Sequence, residues 1–169
     1  MNDLGELDSV DRALLRELQK DCRQTNKALA EKVGVAPSTC LERIRELRTR
    51  GVITGFRAEV DPAAIGRPME AILSIQQRGS HREATERLLE RGAGLPETVR
   101  VIALTGTTDF IFHVAVRDMN HLRDLVWGLI ERREVGRVQS SLVFARAEGT
   151  GLEPVDPVRP SPRPAGARP

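Results

Sequence analysis

The stretch from Thr25 to Gly51, TNKALAEKVGVAPSTCLERIRELRTRG, decides how the first third of the chain is read. Thr25 offers a hydroxyl where a helix would begin, and Leu29, Ala30 and Val33 follow at helical spacing. Gly34 can take the positive φ that a sharp turn needs. Pro37 suits the first turn of a second helix, whose inward stripe is Cys40, Ile44 and Leu47 and which Gly51 closes. Two short helices meeting at such a turn make a helix-turn-helix. Upstream, Asp8 is an N-cap with Asp11 in the first turn. Val10, Leu14 and Leu18, with Leu15 alongside, supply the stripe of a further helix. Downstream, Val52 to Val60 reads as a short ribbon turning at Gly55, which gives this three-helix unit a winged form.

The chemistry of this unit lies on its last helix. With Cys40, Ile44 and Leu47 turned inward, Ser38, Thr39, Glu42, Arg43 and Arg45 are expected to project outward. Hydroxyls at a helix start reach phosphates or base edges; Arg43 suits guanine and Glu42 suits the amino group of cytosine. Arg48 and Arg50 suit the phosphate backbone. The alternative is an ordinary solvated face of paired Arg and Glu, since three-helix folds also serve as partner-binding modules. Formal net charge is only +2, so any nucleic-acid affinity must come from local placement of arginines rather than from bulk charge.

Asp61-Pro62 through Gly66-Arg67-Pro68 reads as a linker. Beyond it the pattern alternates. Met69 to Gln76 is a strand, and His81 to Arg91 a helix with Ala84, Leu88 and Leu89 inward. Val99 to Thr105 and Phe110 to Val116 are strands joined by the compact turn Gly106-Thr107-Thr108-Asp109. Leu122, Leu125, Val126, Leu129 and Ile130 mark an amphipathic helix, and Val138 to Ala147 a closing strand. The order β-α-β-β-α-β is the ferredoxin-like split unit, so the fold class is α+β. Helices on one face leave the other open, yet Ile72, Ile102, Leu104 and Ile111 make that face apolar too. Such a sheet calls for self-association.

Several function classes are excluded. No apolar run approaches the roughly 20 residues of a membrane span, and no basic segment precedes an apolar stretch near the start, so a cytoplasmic location is expected. Cys22 and Cys40 match no metal or disulfide framework. His81, His113 and His121 are isolated. With no nucleophile elbow, phosphate loop or metal-ligand spacing, no enzyme, metal or cofactor is expected. From Gly149 to Pro169 the chain holds six of its ten prolines and few apolar side chains. Such a segment cannot offset its chain entropy, so a disordered Pro-rich tail is expected over 149–169.

Leu7-Asp8, Asp11-Arg12, Leu14-Leu15, Glu17 to Asp21, Ala30 to Ser38, Cys40 to Arg45 and Gly51-Val52-Ile53 together resemble the opening of the Lrp/AsnC family of regulators. Thr105-Gly106-Thr107-Thr108-Asp109-Phe110 is similar to that family's Ser-Gly-x-x-Asp-aromatic, and Val135 to Phe144 to its closing strand. The match runs from about residue 7 to 146 in the right order, which is far more specific than an isolated motif. Departures are Ala36 where the family has a Ser cap, a loss of typically ~1 kcal/mol, Arg133-Glu134-Val135 before the last strand, Thr107, Thr108 and Ser140.

The resemblance implies a helix-turn-helix DNA-binding domain over 1–62, with Ser38, Thr39, Glu42, Arg43, Arg45 and Arg48 on DNA. It also implies a βαββαβ (RAM) domain over 63–148 that pairs sheets into homodimers, assembles to tetramers or octamers, and binds amino acids between them. Carried over residue by residue, the effector site is Gly106, Thr107, Thr108 and Asp109, with Met119, Ser140 and Ser141. Asp109 would pair an α-ammonium group. Against this, Gly106 can simply make a hairpin that Asp109 caps. The implied function is a sequence-specific, double-stranded-DNA-binding transcriptional regulator responsive to an amino acid. The rivals are an effector-independent nucleoid protein and a small-molecule-binding oligomer whose first domain binds protein.

Overall fold

The computed structural model describes residues 6–79, 82–147, 149 and 151–155. The described residues of Met1–Arg57 and Glu148–Pro169 form one compact unit, and Ala58–Ala147 form a second.

The first unit contains α1 (Ser9–Lys20), α2 (Asn26–Val33) and α3 (Pro37–Thr49). Its core is Leu14, Leu29, Ala30 and Cys40, with Val10, Leu18 and Ile44 packed around them. The ends are set locally. Asp8 accepts the Asp11 N–H at 2.8 Å, and Thr25 accepts that of Ala28 at 3.2 Å. Gly34, at φ 78°, terminates α2. Gly51, at φ 77°, follows α3, where Gly51 and Val52 donate to the Arg48 and Leu47 carbonyls in a Schellman closure.

The expected ribbon over Val52 to Val60 is absent: these residues form a turn and then an irregular exposed segment without strand pairing. The Val52 and Ile53 N–H groups are spent on the Leu47 carbonyl. A short hairpin is marginal without a sheet to join.

Within the segment expected to be disordered from Gly149, residues 152 and 153 contact α1. The Gln19 amide accepts the Leu152 N–H at 2.8 Å and donates to its carbonyl at 3.0 Å, and Arg16 lies 3.2 Å from Glu153. Backbone groups, rather than the exposed Leu152 and Val155 side chains, make the contact, so apolar composition did not announce it. Residues 156–169 of the expected tail lie outside the described residues.

The second unit is built from β1 (Met69–Gln77), α4 (Arg82–Ala93), β2 (Thr98–Ala103), β3 (Phe110–Val116), α5 (Met119–Ile130) and β4 (Val135–Leu142). The sheet order is β2-β3-β1-β4, antiparallel throughout, which is the expected ferredoxin-like α+β arrangement. Alternation along β1 and β3 sends Ala71, Leu73, Ile75, Phe110, Phe112, Val114 and Val116 inward against Leu88 of α4 and Leu122 and Leu129 of α5. At Gly92 of α4 a Cβ would lie 2.4 Å from Phe112 Cζ; glycine lets the helix sit on that ring. The opposite face carries Ile72 and Ile111, half-buried, and Ile102, 43% exposed. The first residue expected in α4, His81, lies outside the described residues, and β4 begins three residues earlier than expected and ends five earlier.

Candidate functional site

Two regions qualify, and each is built by its own unit. In the first, the turn between α2 and α3 is clamped by Asn26, whose Nδ2 donates to the Pro37 carbonyl at 2.7 Å. Ala36 provides no side-chain cap. The α3 N–H groups and the hydroxyls of Ser38 and Thr39 are therefore presented at an uncapped helix start, a geometry suited to an anion. Ser38, Thr39, Glu42, Arg45 and Arg48 are all exposed. Arg48 also lies over the Phe56 ring, 6.0 Å from its centroid.

Arg43, expected on the same face, is half-buried and paired with acids at the start of α1. Its Nη1 lies 2.7 Å from Asp8 and 3.3 Å from Asp11. Position 43 borders the buried stripe, and α1 supplies two carboxylates there. Charge pairing draws the guanidinium toward α1, where it ties α3 to that helix. Asp11 is the hub of this contact: its side chain is only 3% exposed and also lies 3.8 Å from Arg50. The Asp11 N–H, and then the Arg43 charge, hold the Asp8 carboxyl below its ordinary range. Sequence reasoning took Asp11 for a first-turn acid. Its place three residues before Leu14 and seven before Leu18, on the apolar stripe, was the available signal.

In the second unit, Leu104 to Asp109 form a closed loop. The Leu104 N–H donates to the Asp109 carbonyl at 2.8 Å, and the Asp109 N–H to the Ile75 carbonyl at 3.0 Å. Gly106 has φ 115°, a region unfavourable to side chains. Gln76 Nε2 donates to the Thr107 carbonyl at 2.6 Å, and Asp109 Oδ2 accepts the Gln77 N–H at 2.7 Å. Gly106 and Thr107 are exposed, Thr108 and Asp109 half-buried. Asp109 therefore caps the end of β1 with one carboxylate oxygen.

The other expected effector residues do not meet this loop within one chain. Met119 begins α5 just past the far end of β3, about 20 Å from Asp109 at the usual rise of a strand. Ser140 and Ser141 pair with Leu73 and Ile72, so they occupy opposite faces of β4. On the open face, His113 Nε2 lies 2.8 Å from Glu70, and Arg146 lies 3.4 Å from the same carboxylate. This cluster was not anticipated, because the partners are 43 residues apart.

Residues 7–48 match the AsnC-type helix-turn-helix domain, and residues 70–151 match the Lrp/AsnC ligand binding domain. The chain belongs to the Lrp/AsnC family. It is 41% identical to the HTH-type transcriptional regulator AldR of Mycobacterium tuberculosis over 146 residues, covering 86% of this chain and 82% of that one. It is 30% identical to the transcriptional regulator AzlB of Bacillus subtilis, covering 89% of this chain and 96% of the other. Among solved structures, that of M. tuberculosis AldR aligns with a TM-score of 0.77 at 36% identity, covering 88% of this chain and 97% of that chain. A Neisseria meningitidis transcriptional regulator in complex with L-Met aligns with a TM-score of 0.77 at 30% identity, covering 85% and 93%. These Lrp/AsnC relatives are transcriptional regulators, not enzymes. Among the described residues, no helix is long and apolar enough to cross a membrane.

Proposed function

We propose that this Lrp/AsnC chain is a sequence-specific, double-stranded-DNA-binding transcription regulator of the cytoplasm whose occupancy of DNA responds to an amino acid. Ser38, Thr39, Glu42, Arg45 and Arg48 read and grip DNA, while Arg43 holds the reading helix in place. The effector sits at the loop Gly106, Thr107, Thr108 and Asp109. It lies between dimers of a tetramer or octamer, and no other cofactor takes part. Because Met119 lies at the far end of β3 from that loop and Ser140 and Ser141 face opposite sides of β4, a second copy completes the site.

The observation that carries this reading is the geometry of the loop. A glycine turn leaves backbone groups exposed, and a half-buried carboxylate keeps one oxygen outside its structural hydrogen bond. That set suits an α-ammonium group. Binding at contacts between copies then shifts the spacing of paired helix-turn-helix units, and DNA affinity follows by linkage. The test is a fluorescence titration of operator DNA, at fixed salt, across a panel of L-amino acids, with light scattering in parallel. The expected result is a shift in affinity or assembly with one or a few amino acids. Tight, salt-dependent DNA binding indifferent to every amino acid would instead establish the effector-independent nucleoid protein.

A further inference from the structure

An α-amino acid carries two charges, and the loop accounts for only one of them. Asp109 and the Thr107 carbonyl are acceptors for an ammonium; nothing in residues 104–109 is a cation that could take a carboxylate. The strand pairing supplies one. β1 holds the loop through three successive residues: Ile75 accepts the Asp109 N–H, Gln76 donates to the Thr107 carbonyl, and Gln77 donates to the Asp109 carboxylate. On the other side of β1, the residue directly opposite Gln76 is Arg137 of β4. Cross-strand partners share a face, with strands about 4.8 Å apart. Arg137 therefore stands on the same sheet face as Gln76, whose side chain grips the loop.

The backbone pins this placement. Preceding Arg137 is Gly136, where a Cβ would stand 3.2 Å from the Gln76 carbonyl, so a side chain there would crowd β1. The β1–β4 register also shifts between Gln76 and Gln77, in the manner of bulges that re-aim side chains at sheet ends. Arg137 is exposed, and among the described residues no carboxylate pairs with it. Arg67 and Arg91 of this unit are by contrast paired, with Glu97 and Glu134.

We propose that Arg137 binds the α-carboxylate of the effector, across Gln76 from the Asp109 that takes its ammonium. This rests on the amino-acid reading above and extends it to a zwitterion site with an anion on one flank of Gln76 and a cation on the other. An arginine fork suits a planar carboxylate. Ligands with a free carboxylate and a free α-amine are then selected over their amides.

The experiment is calorimetric titration of the full chain. A panel of L-amino acids first finds the tightest-binding one, which is then compared with its carboxamide in wild type, Arg137→Gln, Arg137→Lys and Arg100→Gln. The expected result is a loss of tenfold or more for the amino acid in Arg137→Gln, with part of the affinity restored by lysine. The carboxamide should bind wild type and Arg137→Gln alike, and Arg100→Gln, a charge removed from a different strand, should leave both ligands unaffected. Unchanged amino-acid affinity in Arg137→Gln overturns the assignment while leaving the effector reading intact. Equal losses for amino acid and carboxamide, or an equal loss in Arg100→Gln, also overturn it. If wild type binds no amino acid, the effector reading itself fails, and this proposal with it.

Discussion

Asp11→Asn isolates the contact that ties α3 to α1. The substitution keeps the size of the side chain and removes its charge, at a carboxylate that is only 3% exposed with Arg43 at 3.3 Å and Arg50 at 3.8 Å. Removing one partner of a fully buried ion pair costs about 3–5 kcal/mol, because the remaining charge is stranded. Here the stranded groups are better placed: Arg43 is 35% exposed and keeps Asp8 at 2.7 Å, and Arg50 is 24% exposed. Solvent and Asp8 absorb part of the cost, leaving about 1.5–3 kcal/mol, the range of a charge-assisted hydrogen bond. For a unit of this size that corresponds to a fall of roughly 6–24 °C in its melting transition. The assay is scanning calorimetry of the full chain, with hydrogen exchange to locate the loss in α1 and α3. Combining Asp11→Asn with Arg43→Gln should give less than the sum of the two single effects, because the residues act on one contact. A melting shift below about 2 °C, or strict additivity of the pair, would refute the role assigned to Asp11.

Gly92→Ala would place a Cβ 2.4 and 2.6 Å from two ring carbons of the buried Phe112. The overpacking cost of about 1–3 kcal/mol outweighs the fraction of about 1 kcal/mol gained in helix propensity in the last turn of α4, so urea denaturation should show net destabilisation of the second unit. Asp109→Asn retains an oxygen for the Gln77 N–H and so should keep the fold, while calorimetry should record a loss of roughly 1.5–3 kcal/mol in amino-acid binding; undiminished binding would reduce Asp109 to a cap. The Asp8 carboxyl is held below its ordinary range by the Asp11 N–H and then by Arg43. Its stabilisation is therefore present above the unfolded-state value and lost as pH falls through the lower folded value. Acid titration followed by circular dichroism should show the first unit weakening in that acidic window, with a shallower loss in Asp8→Asn.

Part of the candidate site was legible in one dimension. The loop at Gly106 to Asp109 stood out because a hairpin between two apolar strands needs a glycine and a small polar residue there, whatever else the loop does. The exposed set Ser38, Thr39, Glu42, Arg45 and Arg48 followed from helical periodicity once Cys40, Ile44 and Leu47 were turned inward. Arg43 did not follow. It sits at the margin of that stripe, and its direction is chosen by Asp8 and Asp11, the latter 32 residues away. Arg137 was equally silent, since its relation to the loop exists only through a strand that lies between them.

Features whose causes act within a few residues were readable from the chain alone. The caps at Asp8 and Thr25, the left-handed glycines at Gly34 and Gly51, and the alternation that sets β3 at Phe110–Val116 are local steric and hydrogen-bonding choices. Only the tertiary structure decided which neighbours compete for a group. It withheld the ribbon at 52–60 by spending its first N–H groups on Leu47, and set Ser140 and Ser141 on opposite faces through the β1 register. It also sent Met119 to the far end of β3 from Asp109 and paired Arg43 with the acids at the start of α1. In each case the deciding energy is a contact between segments far apart in the chain, and periodicity, which records only which side of an element is apolar, carries no information about the identity of the partner across it.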